Sequence, residues 1–319
     1  MIRISAGSAA CMGLTSNKMD VYPTTAYFLS GNSCRTGCSF CPQGSSNNAV
    51  LNRLGRVNWP EFNWDIVKEG LHRAEKNGTR RICLQSVRHE DGIGPLLKLV
   101  NSFKEISNLP LSLSAWIKDQ GEAAALFKAG VERISVSIDA VNPDLYRSYK
   151  GGDLEERLDL LLGCAKNLPG KMSTHIICGL GESEKEVLEL TNRLAKAEIS
   201  IALFAFTPLK GTPLEGVSPP PVESYRRLQA GFYLLKEKLA DYESFEFNSQ
   251  GRLLSYGIPK AKLRKQLYTG EAFLTSGCPA CNRPFYNERP GGIIYNYHRP
   301  LSKIEKEFGL ELLFKSLQQ

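Results

Sequence analysis

From residue 25 to about residue 206, short apolar or β-branched runs alternate with longer amphipathic ones. The strand candidates are TAYFLS (25–30), RRICLQS (80–86), LSLSAW (111–116), RISVSID (133–139), MSTHIIC (172–178) and SIALFAF (200–206). Between them lie helix candidates such as GPLLKLVNSFKEIS, GEAAALFKAG and LEERLDLLLGCAKNL, whose leucines recur every three or four residues. SEKEVLELTNRLAKAE opens with Ser183 and Glu186 at capping-box spacing, which marks a helix start. Six strands with intervening helices predict an α/β fold: a parallel sheet covered on both faces. Right-handed crossovers either close such a sheet partly into a barrel or leave it open and doubly wound. In both architectures ligands gather at the C-terminal ends of the strands.

The proline cluster VSPPPVES ends this alternation. Beyond it, VESYRRLQAGFYLLKEKLA predicts an amphipathic helix, and the remainder from about residue 241 is irregular. The chain therefore divides into an N-terminal extension (1–24), a barrel-sized unit (25–216) and a C-terminal extension (217–319) that covers the barrel. A length of 319 residues with 42% hydrophobic content leaves ample material for a core. The formal charge of +7 is spread along the chain, without the basic stripe interleaved with aromatics that nucleic acid calls for. An acidic protein partner or an anionic substrate suits the sign better. No signal peptide and no membrane span is legible, which predicts a cytoplasmic protein. Nine cysteines argue against a secreted disulfide framework and for thiolates kept free for metal.

Three of those cysteines stand in CRTGCSFC, as Cys34, Cys38 and Cys41. Structural zinc takes four protein ligands, and no fourth follows at knuckle spacing. A [4Fe–4S] cluster held by three cysteines keeps one iron open for a ligand. With Phe40 before the third cysteine, the stretch closely resembles the signature of the radical S-adenosylmethionine (radical SAM) enzymes. The resemblance implies a partial (β/α)6 barrel whose cysteine loop follows the first strand. It also implies that the open iron binds S-adenosylmethionine, from which a low-potential electron releases a 5′-deoxyadenosyl radical. The strand ends are then expected to hold the rest of that cofactor. Ser137 and Asp139, in SIDA, resemble a ribose-binding segment of biotin synthase. Gly179, Gly181 and Glu182, in ICGLGES, resemble the family's adenine-side element, and FTPLKGTPLE after the sixth strand is also similar to biotin synthase. The usual Gly-Gly-Glu after the second strand is absent; Gln85 and Ser86 of LQSVRHED take its position.

A second group is Cys278 and Cys281 in SGCPACNRP, which by itself fits a zinc half-site, a redox dithiol or a structural pair. Cys83, Cys164 and Cys178 sit in apolar segments and are expected to be packed core residues. That leaves Cys11 as the expected third ligand of an auxiliary [4Fe–4S] cluster with Cys278 and Cys281. Nearby Asn282, Arg283, Asn287, Glu288 and Arg289 form a polar concentration, with Arg283 two residues after a cluster cysteine and a candidate for a direct role. Tyr286, Tyr295 and Tyr297 are expected to pack, and His72, His89, His175 and His298 lack ligand spacing.

The stretch CPACNRPFYNERPGGIIYNYHRPLS resembles the C-terminal signature of the two-component lipoyl synthases, most of all their second component. This resemblance implies sulfur insertion into an octanoyl chain carried by a lipoyl domain or H protein. It further implies a paralogous radical SAM subunit and a ferredoxin-type electron donor, with no nucleic-acid or membrane partner. A biotin-synthase-like enzyme acting on another substrate, as mutase or maturase, and a non-catalytic iron–sulfur carrier are the alternatives.

Overall fold

The alternation of strand and helix runs is realised around one eight-stranded sheet in a computed structural model that describes residues 1–32, 34–45, 47–50, 52–288 and 291–317. Its strands are β1 (Ile2–Ile4), β2 (Thr25–Ser30), β3 (Glu61–Phe62), β4 (Arg81–Ser86), β5 (Leu111–Ser114), β6 (Arg133–Ser135), β7 (Met172–Cys178) and β8 (Ser200–Ala205). The spatial order is β8-β7-β6-β5-β4-β2-β1-β3. The six strands from β2 to β8 that the pattern predicts are parallel and follow one another in sequence order. Residues 1–24 add the antiparallel strand β1 on the β2 edge, and β3 pairs beyond it. The result is a mixed α/β fold, largely parallel, of the partial-barrel kind.

Alternate residues of each strand face opposite sides. Phe28, Ile82, Leu84, Leu113, Ile134, Ile176 and Leu203 point outward and are fully buried under the helices. Those helices include α1 (Ala6–Cys11), α2 (Val67–Lys76), α3 (Gly94–Ile106), α4 (Gln120–Lys128), α5 (Pro143–Tyr149), α6 (Leu154–Asn167) and α7 (Glu184–Lys196). Ser183 and Glu186 form the expected capping box at the start of α7. The inward positions are different in kind: Tyr27, Cys83, Gln85, Ser114, Ser137, Ser173 and His175 border an open interior instead of filling it. A closed barrel core packs branched apolar side chains in layers. Serines here leave room.

The strand expected over 133–139 stops at Ser135. Beyond it the Lys150 ammonium takes the carbonyls of Ser137 and Ile138, and Asp139 turns to a φ of +65°. Only a single bridge, Asp139 to Ile176, continues the ladder.

The sheet leaves β8 with a free edge. Residues 275–288, expected to be irregular, occupy it: Ser276 Oγ accepts the Leu203 N–H at 2.9 Å, and Asn287 Nδ2 donates to the Ala205 carbonyl at 2.8 Å. The same stretch reaches the base of β2, where Asn282 accepts the Thr24 N–H at 2.9 Å. Behind it stand α8 (Val222–Lys236), α9 (Lys260–Leu267) and α10 (Lys303–Leu317). Among the described residues no helix is long and apolar enough to cross a membrane.

Candidate active site: two cysteine groups on one cavity

The loop bearing Cys34, Cys38 and Cys41 leaves the C-terminal end of β2. Its shape is fixed by backbone bonds, since it has no regular structure to satisfy it. The Cys41 N–H donates to the Cys38 carbonyl at 3.1 Å, and Asn47 Nδ2 donates to the carbonyls of Cys38 and Cys41 at 3.0 and 2.5 Å. Ser39 is tied to Tyr149 at the end of α5 by a 2.7 Å bond. A side chain at Gly44 would lie 2.6 Å from Asn47 and 3.0 Å from the Cys38 carbonyl, so the turn admits only glycine. Burial pushes the Cys38 thiol up, opposed by the Lys150 cation, and lifts Cys41 to about 12.

These three cysteines line one end of a cavity of about 630 Å³, a volume typical of small-molecule sites. Gln85, Ser86, Ser137 and Asp139 line it too, as expected of strand-end residues. Asp139 is paired with Lys150 at 2.7 Å, both largely buried. Ser137 Oγ lies 3.1 Å from His175 Nδ1, and Ser135 Oγ 3.4 Å from Nε2. The His175 ring, set edge-on to Phe204, sees the cavity and not bulk solvent; burial lowers its pKa to about 4, so it is neutral at physiological pH. Gly179, Gly181 and Glu182 do not line the cavity. They close a turn on themselves: the Glu182 carboxylate accepts the N–H groups of Gly179 and Leu180 at 2.6 and 2.9 Å.

Cys278 and Cys281 enter the same cavity from the other end of the strands. Ser112 Oγ donates toward Cys278 Sγ at 3.8 Å, and Tyr27 Oη lies 3.1 Å from Cys281 Sγ. Burial holds the Tyr27 hydroxyl far above its ordinary range, so it keeps its proton. The Arg283 guanidinium lies 4.2 Å over the Phe204 ring, and its Nη2 is buried without a hydrogen-bond partner. Three non-glycine residues of this stretch, Ala280, Arg283 and Phe285, have positive φ, a cluster of strain of the kind found at functional sites. Asn282 and Asn287 anchor the stretch as described, and Glu288 satisfies the N–H groups of Asn287 and Asn296. Tyr286 turns out to line the cavity, whereas Tyr295 bonds the Pro220 carbonyl as a packing residue. Arg289 lies outside the described residues.

The expectation for Cys11 needs correction. It ends α1 on the side packed in the hydrophobic core, 1% exposed, with its sulfur 3.6 Å from Thr79 Oγ1. It does not border the cavity. Cys83, expected to be a packing residue, does: in β4 the alternation turns Arg81, Cys83 and Gln85 inward while Ile82 and Leu84 go to the core. The signal was available in that alternation. Cys164 and Cys178 are buried in the core as expected. Among the described residues no three His, Cys, Asp or Glu side chains are gathered around one point at single-ion distance.

Comparison with known proteins agrees with this geometry. The profile of the Radical SAM superfamily matches residues 28–194, just over half of the chain. The biotin synthase of Halorhodospira halophila is 25% identical over 280 residues, which cover 82% of this chain and 80% of that protein. The biotin synthase of Acidithiobacillus ferrooxidans is 25% identical over 198 residues, 58% of each. Among solved structures, HydG, a maturase of the [FeFe]-hydrogenase, superposes with a TM-score of 0.54 at 12% identity, over 66% of this chain and 50% of its own. Methylornithine synthase gives 0.52 at 16% identity, over 67% and 62%. At such identities the two structures speak to fold alone. The cysteine loop at the end of the first parallel strand, the sheet that follows it and the matching profile together make this chain a member of the radical SAM superfamily.

Proposed function

We propose that this chain inserts sulfur into a protein-bound octanoyl chain, as one component of a two-protein lipoyl synthase. The observation that supports this is a single cavity bordered by both cysteine groups, Cys34, Cys38 and Cys41 at one end and Cys278 and Cys281 at the other. Membership of the superfamily implies a [4Fe–4S] cluster and S-adenosylmethionine, and the donor set fits them: three thiols, a buried cation at Lys150 and a polar wall. When bound, these groups supply a 5′-deoxyadenosyl radical able to take hydrogen from an unactivated C–H bond, and an auxiliary cluster supplies sulfide. The chain's own residues do the rest. Cys34, Cys38 and Cys41 hold the first cluster; Gln85, Ser86, Ser137 and Asp139 orient polar groups at the strand ends. Cys278 and Cys281 would hold the auxiliary cluster beside Arg283, and the rings of Phe204 and Tyr286, set edge to face, border the same cavity. A net charge of +7 suits an acidic lipoyl domain or H protein as carrier. The reading includes a paralogous radical SAM subunit and a ferredoxin-type donor.

The rival is a biotin-synthase-like enzyme with a different substrate, favoured by a relative of that name at 25% identity over 82% of the chain. One experiment separates them. The protein is reconstituted anaerobically with iron and sulfide, then given reductant, S-adenosylmethionine and an octanoyl-lysyl peptide, with and without the sister subunit. Thiolated peptide, detected by mass spectrometry and lost in Cys278→Ala while 5′-deoxyadenosine persists, is the expected result. If 5′-deoxyadenosine forms but no sulfur enters the peptide even with the partner present, the lipoyl assignment falls and the rival stands.

A further inference from the structure

The register of the sheet places Cys83 between two residues that each hold one of the tail cysteines. Across β2 and β4, Cys83 is opposite Tyr27; across β4 and β5 it is opposite Ser112. Tyr27 Oη is 3.1 Å from Cys281 Sγ, and Ser112 Oγ is 3.8 Å from Cys278 Sγ. Neighbouring strands are about 4.8 Å apart, so the three sulfurs bracket one patch of the barrel interior. Arg81, two residues before Cys83 on the same face, fixes the tail by donating to the Pro279 carbonyl at 3.3 Å, between the two cysteines. All three cysteines border the cavity, and Arg283 borders it with them.

Arg283 is the second observation. Its Nη2 is buried and makes no hydrogen bond, although a buried guanidinium ordinarily has its donors satisfied. Gly277 leaves it space: a Cβ there would come within 3.3 Å of Arg283 Nη1. A positive group at the cavity wall with a buried spare donor is matched by an anion. A cubane held by three thiolates is such an anion, and its sulfides accept hydrogen bonds.

We infer that Cys83, Cys278 and Cys281 form the thiolate set of a second [4Fe–4S] cluster at the base of the barrel, with Arg283 as its buried counter-charge. This rests on the reading that the chain carries two clusters, and it puts Cys83 in the place first expected of Cys11. The strand geometry also gives the cluster its depth. Cys83 lies three residues before Ser86, roughly 10 Å below the end of β4 at about 3.3 Å per residue, so the substrate's reacting carbons must be inserted between the two clusters and not laid across the mouth.

The test uses the full chain with Cys34, Cys38 and Cys41 all changed to alanine, which isolates the second site. After anaerobic reconstitution, iron and acid-labile sulfide are counted, and the cluster is followed by Mössbauer spectroscopy and by electron paramagnetic resonance after reduction. This background is expected to keep about four irons per chain. Adding Cys83→Ser is expected to remove the cubane signal, and adding Cys11→Ser to leave it unchanged. Circular dichroism confirms that each variant is folded. An iron-free background, or loss of the cubane in the Cys11 variant with retention in the Cys83 variant, overturns the inference. Should Cys83→Ser fail to fold, Arg283 decides: Arg283→Gln is expected to retain iron but shift the reduction potential of the second cluster to more negative values, with Arg283→Lys restoring it. An unchanged potential in Arg283→Gln removes the counter-charge role. These readouts do not depend on octanoyl thiolation, so a two-cluster protein that fails to thiolate the peptide refutes the lipoyl assignment alone.

Discussion

At the scale of single residues, side-chain direction decides role. Cys11 and Cys83 are both cysteines among apolar neighbours, yet one faces the core and the other the cavity. Composition cannot separate them; the period-two alternation of Ile82 and Leu84 against Cys83 and Gln85 can. His175 illustrates the same point, since lack of ligand spacing says nothing about a histidine whose neighbours are cavity serines. Its pKa of about 4 lies below the ordinary 6.5, so between those values the unfolded chain binds a proton that the folded chain refuses. Its contribution is complete above about pH 6.5 and is lost as the pH falls toward 4. The wild type should therefore lose more stability than His175→Gln between pH 7 and 4.5, by on the order of 3 kcal/mol at most, in paired denaturation curves. Equal losses would mean that His175 is protonated in the folded state. Backbone strain gives a second residue-level expectation. Gly179 has a φ of +103°, and a Cβ would sit 2.8 Å from Pro220, whereas Gly78 at +93° has open space around it. Gly179→Ala should cost about 2–4 kcal/mol in urea unfolding and Gly78→Ala about 1 kcal/mol.

Elements were legible where their own periodicity sets them. The capping box of α7, the parallel strand order and the helices over 94–106 and 154–167 all follow from local pattern. Helix α5 was not read, although Asn142 caps it and Pro143 follows at the first helical position. The tail over 275–288 was legible only as irregular, because its partners are strand edges far away in sequence and no period records them. Asn282 is its hinge pin: it accepts the Thr24 N–H and donates to the Tyr22 carbonyl at 3.1 Å. Asn282→Ala should cost about 1–2 kcal/mol. Hydrogen exchange should rise in residues 275–287 while β4 to β7 keep their protection. A uniform loss of protection would show that the tail is no separate unit.

Across the whole molecule, the barrel and the C-terminal extension are joined by a buried ion pair. Glu184, the first residue of α7, accepts three bonds from Arg227 Nε and Nη2 of α8, one from Ser224 and one from the Leu253 N–H. Both charged side chains are less than 10% exposed. Removing one partner strands the other's charge in the interior, so Glu184→Ala should lower stability by about 3–5 kcal/mol and lower the single unfolding midpoint. If instead the extension melts alone and the barrel midpoint is unmoved, the two parts are independent domains. The parallel α/β sheet could be read from pattern, and its partial-barrel form from the resemblance that the spacing of the first cysteine loop carries. Of the proposed second site the pair Cys278 and Cys281 was legible and Cys83 was not, because Cys83 lies in a strand interior far from that pair in sequence.

That assembly has a consequence in time. Translation runs from the N-terminus, so Cys34, Cys38, Cys41 and Cys83 have all emerged while Cys278 and Cys281 are still unmade. At that stage the chain carries one complete thiolate triplet, and Cys83 without the two cysteines proposed to join it. On the proposal that Cys83, Cys278 and Cys281 share a second cluster, that thiolate set is complete only once the tail has been made and laid along the edge of β8, long after the first triplet.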